Sequence, residues 1–316
     1  MKRRQTTTVT AGLDISKHWL DAALSDGDDT HRFGNNMAGF PVLVNWLVGH
    51  GVKRVGMEAT AGYERDVRDA LEAAGFEVIV HQPAEVKAYG RYKRVRAKSD
   101  KIDARLIAQA TKNWEGIVRR RDPTLNDLTE LLSIYEHLAD LLAHAKAFAE
   151  HLRSAAARAR HQATIDELKA RKKAALTEVQ TCIQATPHLQ ARSDLLQSLP
   201  GVGQVVAAVM VIRMPELGCL DHGQAGSLLG VAPFDRDSGE LKGRRFIQGG
   251  RSRPRTFAYL AALAAKRMDT SFKRFADRLL SAGKPPKLVI TAVARKLIEA
   301  ANLVLKRQTP WIKQIN

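Results

Sequence analysis

The sequence predicts a mixed α/β domain at its start and a mainly helical remainder, on two observations. Near the N-terminus, short runs in which apolar and polar residues alternate come first, and later runs are interleaved with helical patterns. That order is typical of a sheet that begins with antiparallel strands and continues with parallel ones. Between residues 122 and 184, glycine and proline are scarce and leucines recur at helical spacing, which predicts long helices.

The first strand is predicted over residues 6–15, because apolar residues occupy every second position from Val9 to Ile15. This alternation predicts a strand with one buried face. Further strands are predicted at 18–25, 30–34, 53–57 and 76–80, and helices at 38–48, at 63–74, from Pro83 onward and at 100–110. The order of these elements fits an α/β sheet of the ribonuclease H type.

Two long helices are predicted between residues 122 and 184, paired as a coiled-coil hairpin with a break near Gln162–Thr164. In the C-terminal part, Leu199–Gly203 followed by an apolar run resembles a helix-hairpin-helix element, whose glycine turn exposes backbone N–H groups to a phosphate. A simple tight turn is the alternative. Mainly helical structure is expected to the end of the chain, with helices at 256–266, 271–281 and 287–306. The expected domains are 1–118, 119–190 and 191–316.

The chain is strongly basic. Its 316 residues include 50 Lys and Arg against 33 Asp and Glu, which gives a formal charge of +17 and an isoelectric point near 10.1. The basic residues are clustered, so a nucleic-acid partner is favoured over a merely soluble basic surface. The residues predicted to contact nucleic acid are Lys17, Arg94, Lys98, Lys101, Gly201, Gly203, Arg236, Arg244, Arg245 and Arg251.

Cysteine use and hydropathy indicate the compartment. The two cysteines, Cys182 and Cys219, have no paired Cys or His spacing, so neither a zinc site nor a disulfide framework is predicted. Threonines follow the basic N-terminus where a signal peptide would be apolar, and no window is apolar enough for a membrane span. We therefore expect a cytoplasmic protein, associated with the nucleoid and with no membrane partner.

Four acids have the order and spacing of a two-metal nuclease site. Asp14 lies in the first strand, Glu58 ends a later strand, and Asp100 and Asp103 project from one face of a helix because they are three residues apart. Carboxylate oxygens suit Mg²⁺, and two such ions could activate one oxygen and stabilise another during phosphoryl transfer. Asp100 and Asp103 could instead stabilise the helix start.

Ser238 stands before Gly239 in a polar stretch rich in arginine. A serine hydroxyl needs a base or a metal to become a nucleophile, and no histidine adjoins this one. The neighbouring arginines could neutralise a phosphate. From chemistry alone, a turn serine is the more common interpretation.

Five motifs together resemble one family over essentially the whole chain. They are G-L-D-I-S-K at Gly12–Lys17, M-E-A-T-x-G-Y at Met57–Tyr63, K-S-D-K-I-D-A at Lys98–Ala104, L-P-G-V-G at Leu199–Gly203 and G-V-A-P-x-x-x-x-S-G at Gly230–Gly239. The chain is similar to the DEDD transposases of bacterial insertion sequences, which are bridge-RNA-guided recombinases. One departure is the stretch Ile247–Arg251, where related proteins often carry a lysine before the glycine; Arg251 is the candidate substitute.

The resemblance implies a RuvC-like domain that carries Asp14, Glu58, Asp100 and Asp103, a coiled coil, and a transposase domain in which Ser238 attacks a DNA phosphate and forms a covalent phosphoserine intermediate. It implies Mg²⁺, as two ions, at the acids. It also implies donor DNA, target DNA and a structured bridge RNA as partners, with dimers that pair into a tetramer on DNA.

Three alternatives remain open. A RuvC-like junction resolvase or nuclease would use the acids and water, and would give Ser238 no role. A non-catalytic nucleic-acid scaffold would tolerate loss of the acids. An actin-like ATPase is conceivable from Gly12–Ile15, although the N-terminal region has no second glycine-rich phosphate loop.

Overall fold

The computed structural model describes residues 9–27, 29–60, 62–94, 100–115, 122, 124–234 and 245–312, with backbone alone at 100 and 101. The chain divides into two units, Met1–Arg121 and Asp122–Asn316. The first unit is built on a mixed sheet and the second is mainly helical, as the sequence predicts. The finer division into domains 1–118, 119–190 and 191–316 stays a prediction.

The described elements of the first unit are β1 (Thr10–Ile15), β2 (Trp19–Leu24), β3 (Thr30–Gly34), α1 (Gly39–Gly49), β4 (Arg54–Glu58), α2 (Arg65–Ala73), β5 (Glu77–His81), α3 (Pro83–Tyr92) and α4 (Asp100–Lys112). The strand order is β3-β2-β1-β4-β5. The pairs β3–β2 and β2–β1 are antiparallel, whereas β1–β4 and β4–β5 are parallel. This topology fits a ribonuclease H-like domain.

Strand β1 is buried on both faces, so the prediction of a single buried face is wrong. The face that carries Ala11 and Leu13 packs in one apolar cluster with Leu43 and Leu47 of α1 and with Leu71 of α2. The opposite face is covered by α4, which leaves Thr10 only 2% exposed. The sequence pattern missed this because Thr10 and Gly12 are not apolar, although a helix lies on them.

The described elements of the second unit are α5 (Thr124–Ala149), α6 (Ala155–Gln184), α7 (Pro187–Gln197), α8 (Gln204–Arg213), α9 (Gln224–Leu229), β6 (Pro233–Phe234), β7 (Phe246–Ile247), α10 (Ser252–Met268), α11 (Thr270–Ser281) and α12 (Pro286–Arg307). Buried residues of α5 and α6 at the base of their hairpin belong to the same apolar cluster as those of α8, α10 and α12. The coiled-coil assignment stays a prediction.

The break between the two long helices was predicted at the wrong place. Helix α6 runs without interruption through Gln162–Thr164, and the connection lies between Ala149 and Ala155. Ser154 begins α6 as its N-cap, because its hydroxyl accepts a hydrogen bond from the Ala157 amide (3.4 Å). Two polar residues around an alanine do not stop a helix unless their side chains compete for backbone hydrogen bonds.

Candidate functional site

One face of the sheet carries two of the predicted site acids, Asp14 and Glu58. In β1, Thr10, Gly12 and Asp14 alternate onto the face that α4 covers. Gly12 pairs with Gly56 of the parallel strand β4, so the register places Glu58 beside Asp14 on that face. Neighbouring strands are about 4.8 Å apart. Asp14 and Glu58 therefore project side by side, and both side chains are partly buried.

Small residues allow α4 to lie directly on this face. A Cβ atom at Gly12 would come within 2.2 Å of the Ala104 carbonyl oxygen and of the Ala108 nitrogen. A Cβ atom at Gly56 would lie 1.7 Å from the Thr111 hydroxyl oxygen. The two glycines thus provide the space that the helix backbone and Thr111 occupy.

The direction of α4 brings its first turn toward Asp14. The Thr10 hydroxyl donates to the Ala108 carbonyl (3.1 Å), and Gly12 lies against Ala104 and Ala108. Asp14 lies two residues beyond Gly12 along the strand, a distance of about 7 Å. The same distance along the helix axis spans four or five residues, at about 1.5 Å each. Asp14 accordingly lies level with the turn that contains Asp100 and Asp103.

The far end of α4 is fixed by a buried polar contact. His81 of β5 is 3% exposed, and its Nε2 lies 2.8 Å from the Thr111 hydroxyl oxygen, which itself donates to the Ile107 carbonyl (2.7 Å). Burial lowers the pKa of His81, because the charged imidazolium is poorly solvated there. A neutral ring that donates from Nε2 satisfies both groups.

Asp14 and Glu58 share a face and an end of the sheet, but the described acids do not form a closed ligand set. Among the residues that the structure describes, no group of three His, Cys, Asp or Glu is close enough to hold a metal ion. The side chain of Asp100 lies outside the described atoms, while the Asp103 side chain is partly buried. The donor chemistry, carboxylate oxygens from three elements, fits a hard divalent ion such as Mg²⁺.

Sequence reasoning missed a further acid in this row. Asp21 of β2 pairs in register with Asp14 and is 8% exposed. Arg32 of β3, in register with Asp21, donates to both carboxylate oxygens from Nε (2.9 Å) and a terminal nitrogen (2.8 Å). The negative charge of Asp21 is thus balanced by protein. Its position in an apolar strand was the available signal, but only the strand register connects it with Asp14.

The Leu199–Gly203 turn joins α7 to α8, as the sequence predicts, and one of its glycines is required by packing. Gly201 has a φ of +77°, and a Cβ atom there would lie 2.4 Å from the Ala261 carbonyl oxygen of α10. Gly203 is the exposed N-cap of α8 and has open space around it. Of the two, Gly203 is the glycine whose surroundings leave room for a phosphate.

The predicted nucleic-acid residues have different environments. Lys17 is exposed in the β1–β2 turn, next to the Asp14 end of the sheet, and Arg94 is exposed with a φ of +57°. Arg251 forms an internal pair, donating to both oxygens of Glu216 at 2.7 and 2.6 Å. Arg245 is exposed. Ser238, Lys98, Arg236, Arg244 and the side chain of Lys101 lie outside the described residues.

Strands β6 and β7 form a short antiparallel hairpin in which Phe234 pairs with Phe246. In sequence, this hairpin encloses the stretch that contains Ser238. The helices that flank it, α9 and α10, pack against one another and against α12. The site residues predicted in the second unit thus belong to the segment between α9 and α10, and to the α7–α8 turn.

A ribonuclease H-like sheet with acids on its α4 face, joined to a helical unit in a strongly basic chain, is typical of an enzyme that acts on nucleic acid. Comparison with known proteins makes this specific. Residues 11–161 match the IS110-type DEDD transposase model, described as "Transposase", and residues 193–277 match the model described as "Transposase IS116/IS110/IS902 family". The two matches cover most of the chain, and the protein belongs to the IS110 family of transposases.

Two full-length relatives agree with this assignment. The chain is 24% identical over 320 residues to proteins named "Pilin gene-inverting protein" from Moraxella lacunata and Moraxella bovis. The alignments cover 96% of this chain and 98% of each relative. The protein is thus a transposase with DNA as its substrate, and the DEDD class of the matching model fits a general dependence on divalent metal. Among the described residues, no helix is both long and apolar enough to cross a membrane.

Proposed function

We propose that the protein is an RNA-guided recombinase that cuts and rejoins donor and target DNA through a covalent link to Ser238. The observation that supports it best is the shared position of Asp14 and Glu58 beside the first turn of α4, where Asp100 and Asp103 lie. Acids from three elements at one end of one sheet face are the kind of donor set that a phosphoryl-transfer site uses.

In the proposed step, the Ser238 oxygen forms a bond to the scissile phosphorus, and the serine proton passes to a base or to solvent. The bond from phosphorus to the 3′ oxygen breaks, and that oxygen is protonated. One phosphodiester is replaced by another, so rejoining needs no external energy source. Mg²⁺ held by Asp14, Glu58, Asp100 and Asp103 would supply the positive charge that lowers the cost of both oxyanions.

The test of the covalent step uses the full chain with RNA transcribed from the DNA flanking its gene and labelled DNA from the same flanks. We expect Ser238→Ala to abolish denaturant-resistant protein–DNA adducts while RNA binding persists. Ser252→Ala, an exposed serine at the start of α10, is the matched control and should form adducts normally. Adducts formed by the Ser238→Ala variant would disprove the role of Ser238.

The second candidate is a metal-dependent nuclease that uses water. It is favoured by the fact that all four acids lie in the first unit, so that metal and water could act without any residue of the segment around Ser238. This candidate predicts cleaved DNA ends that carry no protein. End analysis of the same reactions separates the two, because the recombinase leaves the end blocked by a phosphoserine until rejoining.

RNA guidance and assembly complete the proposal. The net charge of +17 suits a complex of two nucleic acids, with base pairing rather than protein contacts selecting the sites. We expect a dimer that pairs into a tetramer on DNA. If the RNA guides, compensatory changes in one RNA loop should redirect adducts to a matching DNA. Unchanged targeting, or adducts without RNA, would contradict guidance.

A further inference from the structure

We propose that Arg255 is a positioning residue that fixes the two ends of the Ser238 segment, an inference that rests on the proposed role of Ser238. Arg255 lies in α10, outside the segment itself. One of its terminal nitrogens donates to the Gly249 carbonyl at 2.7 Å and to the Gly230 carbonyl at 3.3 Å. Gly230 precedes the β6–β7 hairpin and Gly249 follows it, so a single cation bridges the entry and the exit.

The two chain ends that Arg255 bridges are already in backbone contact. A Cβ atom at Gly250 would lie 2.2 Å from the Gly230 nitrogen and 2.3 Å from its Cα, so no side chain fits at this crossing. Both residues have positive φ, +69° at Gly250 and +80° at Gly230. The Arg251 amide also donates to the Leu228 carbonyl (3.0 Å). The crossing of Gly230 with Gly249–Gly250, bridged by Arg255, is called the clamp below.

The clamp has a mechanical consequence for chemistry. The hairpin strands are two residues each, too short to hold a reacting hydroxyl in place by themselves. A group that must approach phosphorus in line loses rate steeply when it is misplaced by about 1 Å. The clamp joins the hairpin to α9 and α10, and both helices have residues in the main core of the unit. The two ends of the Ser238 segment are therefore held in fixed positions.

Arg255 could in principle contact DNA instead, because it borders an open cavity of about 310 Å³ together with Val231 and Ile247. The two roles differ in what they affect. A phosphate-binding arginine contributes to DNA affinity, whereas a positioning arginine contributes to the rate of adduct formation once DNA is bound. The experiment therefore measures both quantities on the same complexes.

The first variant pair is Arg255→Met and Arg255→Lys, with Arg253→Met as the matched control. Arg253 lies on the same helix and pairs with Asp140 rather than with the clamp. At saturating DNA we expect Arg255→Met to slow adduct formation by about ten- to a hundredfold with DNA affinity unchanged. One nitrogen of Arg255 makes both hydrogen bonds to the carbonyls, so a lysine nitrogen can replace it, and Arg255→Lys should retain much of the parent rate. The Arg253→Met control should match the parent.

The second pair tests the crossing independently of Arg255. Gly249→Ala and Gly250→Ala both place alanine at a positive φ, but only the Gly250 variant meets backbone. We expect the Gly250 variant to lose adduct rate far more than the Gly249 variant, measured at a temperature well below the melting temperature of either. This pair decides the matter if Arg255→Met fails to fold.

The outcomes are distinct. A parent-like adduct rate in Arg255→Met, or equal rates in the two glycine variants, would overturn the clamp. Loss of DNA affinity in Arg255→Met, with the melting temperature retained, would assign Arg255 to DNA binding and also overturn it. Failure of the Ser238 role would instead appear as adducts in Ser238→Ala, whatever the Arg255 variants do.

Discussion

Gly12 of β1 lies against Ala108 of α4 so closely that a Cβ atom at position 12 would be 2.2 Å from the Ala108 nitrogen. The contact is backbone to backbone, and no side-chain rotation can relieve it. Together with the contact between Gly56 and Thr111, this relationship sets the distance of α4 from the sheet. It thereby fixes how far the acids of the helix stand from those of the strands.

The first prediction concerns this contact. Gly12→Ala should push α4 off the sheet and destabilise the first unit by at least about 1–3 kcal/mol, the usual cost of overpacking, with loss of adduct formation. Chemical denaturation of the full chain measures the loss of stability. Hydrogen exchange of residues 100–112 in the native protein measures whether α4 is less protected. Gly49→Ala is the control, because Gly49 is helical, exposed and has open space. Equal stability of the two variants would show that α4 can move freely.

The second prediction concerns the acids. Asp14→Asn and Asp103→Asn keep the shape of the side chain but remove a charge that a divalent ion needs. Metal assistance contributes several kcal/mol to phosphoryl transfer, so adduct formation should fall roughly 100-fold or more. Asp66→Asn, on exposed α2 surface, removes the same charge elsewhere in the unit and should leave the rate unchanged. Rates in Asp14→Asn within a few-fold of the parent would exclude a metal role for this residue.

The third prediction is a pH dependence. The pKa of folded His81 lies below its ordinary value of 6.5, so the unfolded chain binds the proton more tightly. The stability from neutral His81 is therefore present above pH 6.5 and is lost as the pH falls from there through the folded pKa. We expect the backbone amides of α4 to exchange faster at pH 5.5 than at pH 7.5, after correction for intrinsic exchange rates, because local unfolding of α4 is more frequent.

Glutamine separates the charge of His81 from its hydrogen bond. His81→Gln retains a donor toward Thr111 but cannot titrate, so the pH dependence of α4 exchange should flatten. His18→Gln, at an exposed turn position, should keep the dependence of the parent. A parent-like pH profile in His81→Gln would place the responsible group elsewhere.

The fourth prediction compares two glycines of one turn. Gly201→Ala introduces both a left-handed alanine and a contact 2.4 Å from the Ala261 oxygen, and should cost more than about 2 kcal/mol. Gly203→Ala meets open space and should cost only the N-cap preference for glycine over alanine, about 1 kcal/mol or less. Denaturant midpoints of the two variants give the comparison. Equal midpoints would mean that α10 adjusts to the turn without penalty.

Several parts of the fold could be predicted from sequence because their signals are local. Alternation from Val9 to Ile15 predicted β1, and the apolar stretch before Glu58 predicted β4. The predicted break between the two long helices was wrong, because its position is set by the residue that caps the start of the second helix. Ser154 does so, whereas the polar residues at Gln162–Thr164 fit a helix interior equally well.

The sequence by itself determined the order of the elements, the positions of the acids and the basic character of the chain, because periodicity, residue type and charge are properties of neighbours along a chain. Only the tertiary structure decided that β1 is covered on both faces, that Asp21 stands beside Asp14 with Arg32 bound to it, and that Arg255 bridges Gly230 and Gly249. These facts depend on strand register and on backbone contact between residues distant in sequence, and neither leaves a local pattern to read.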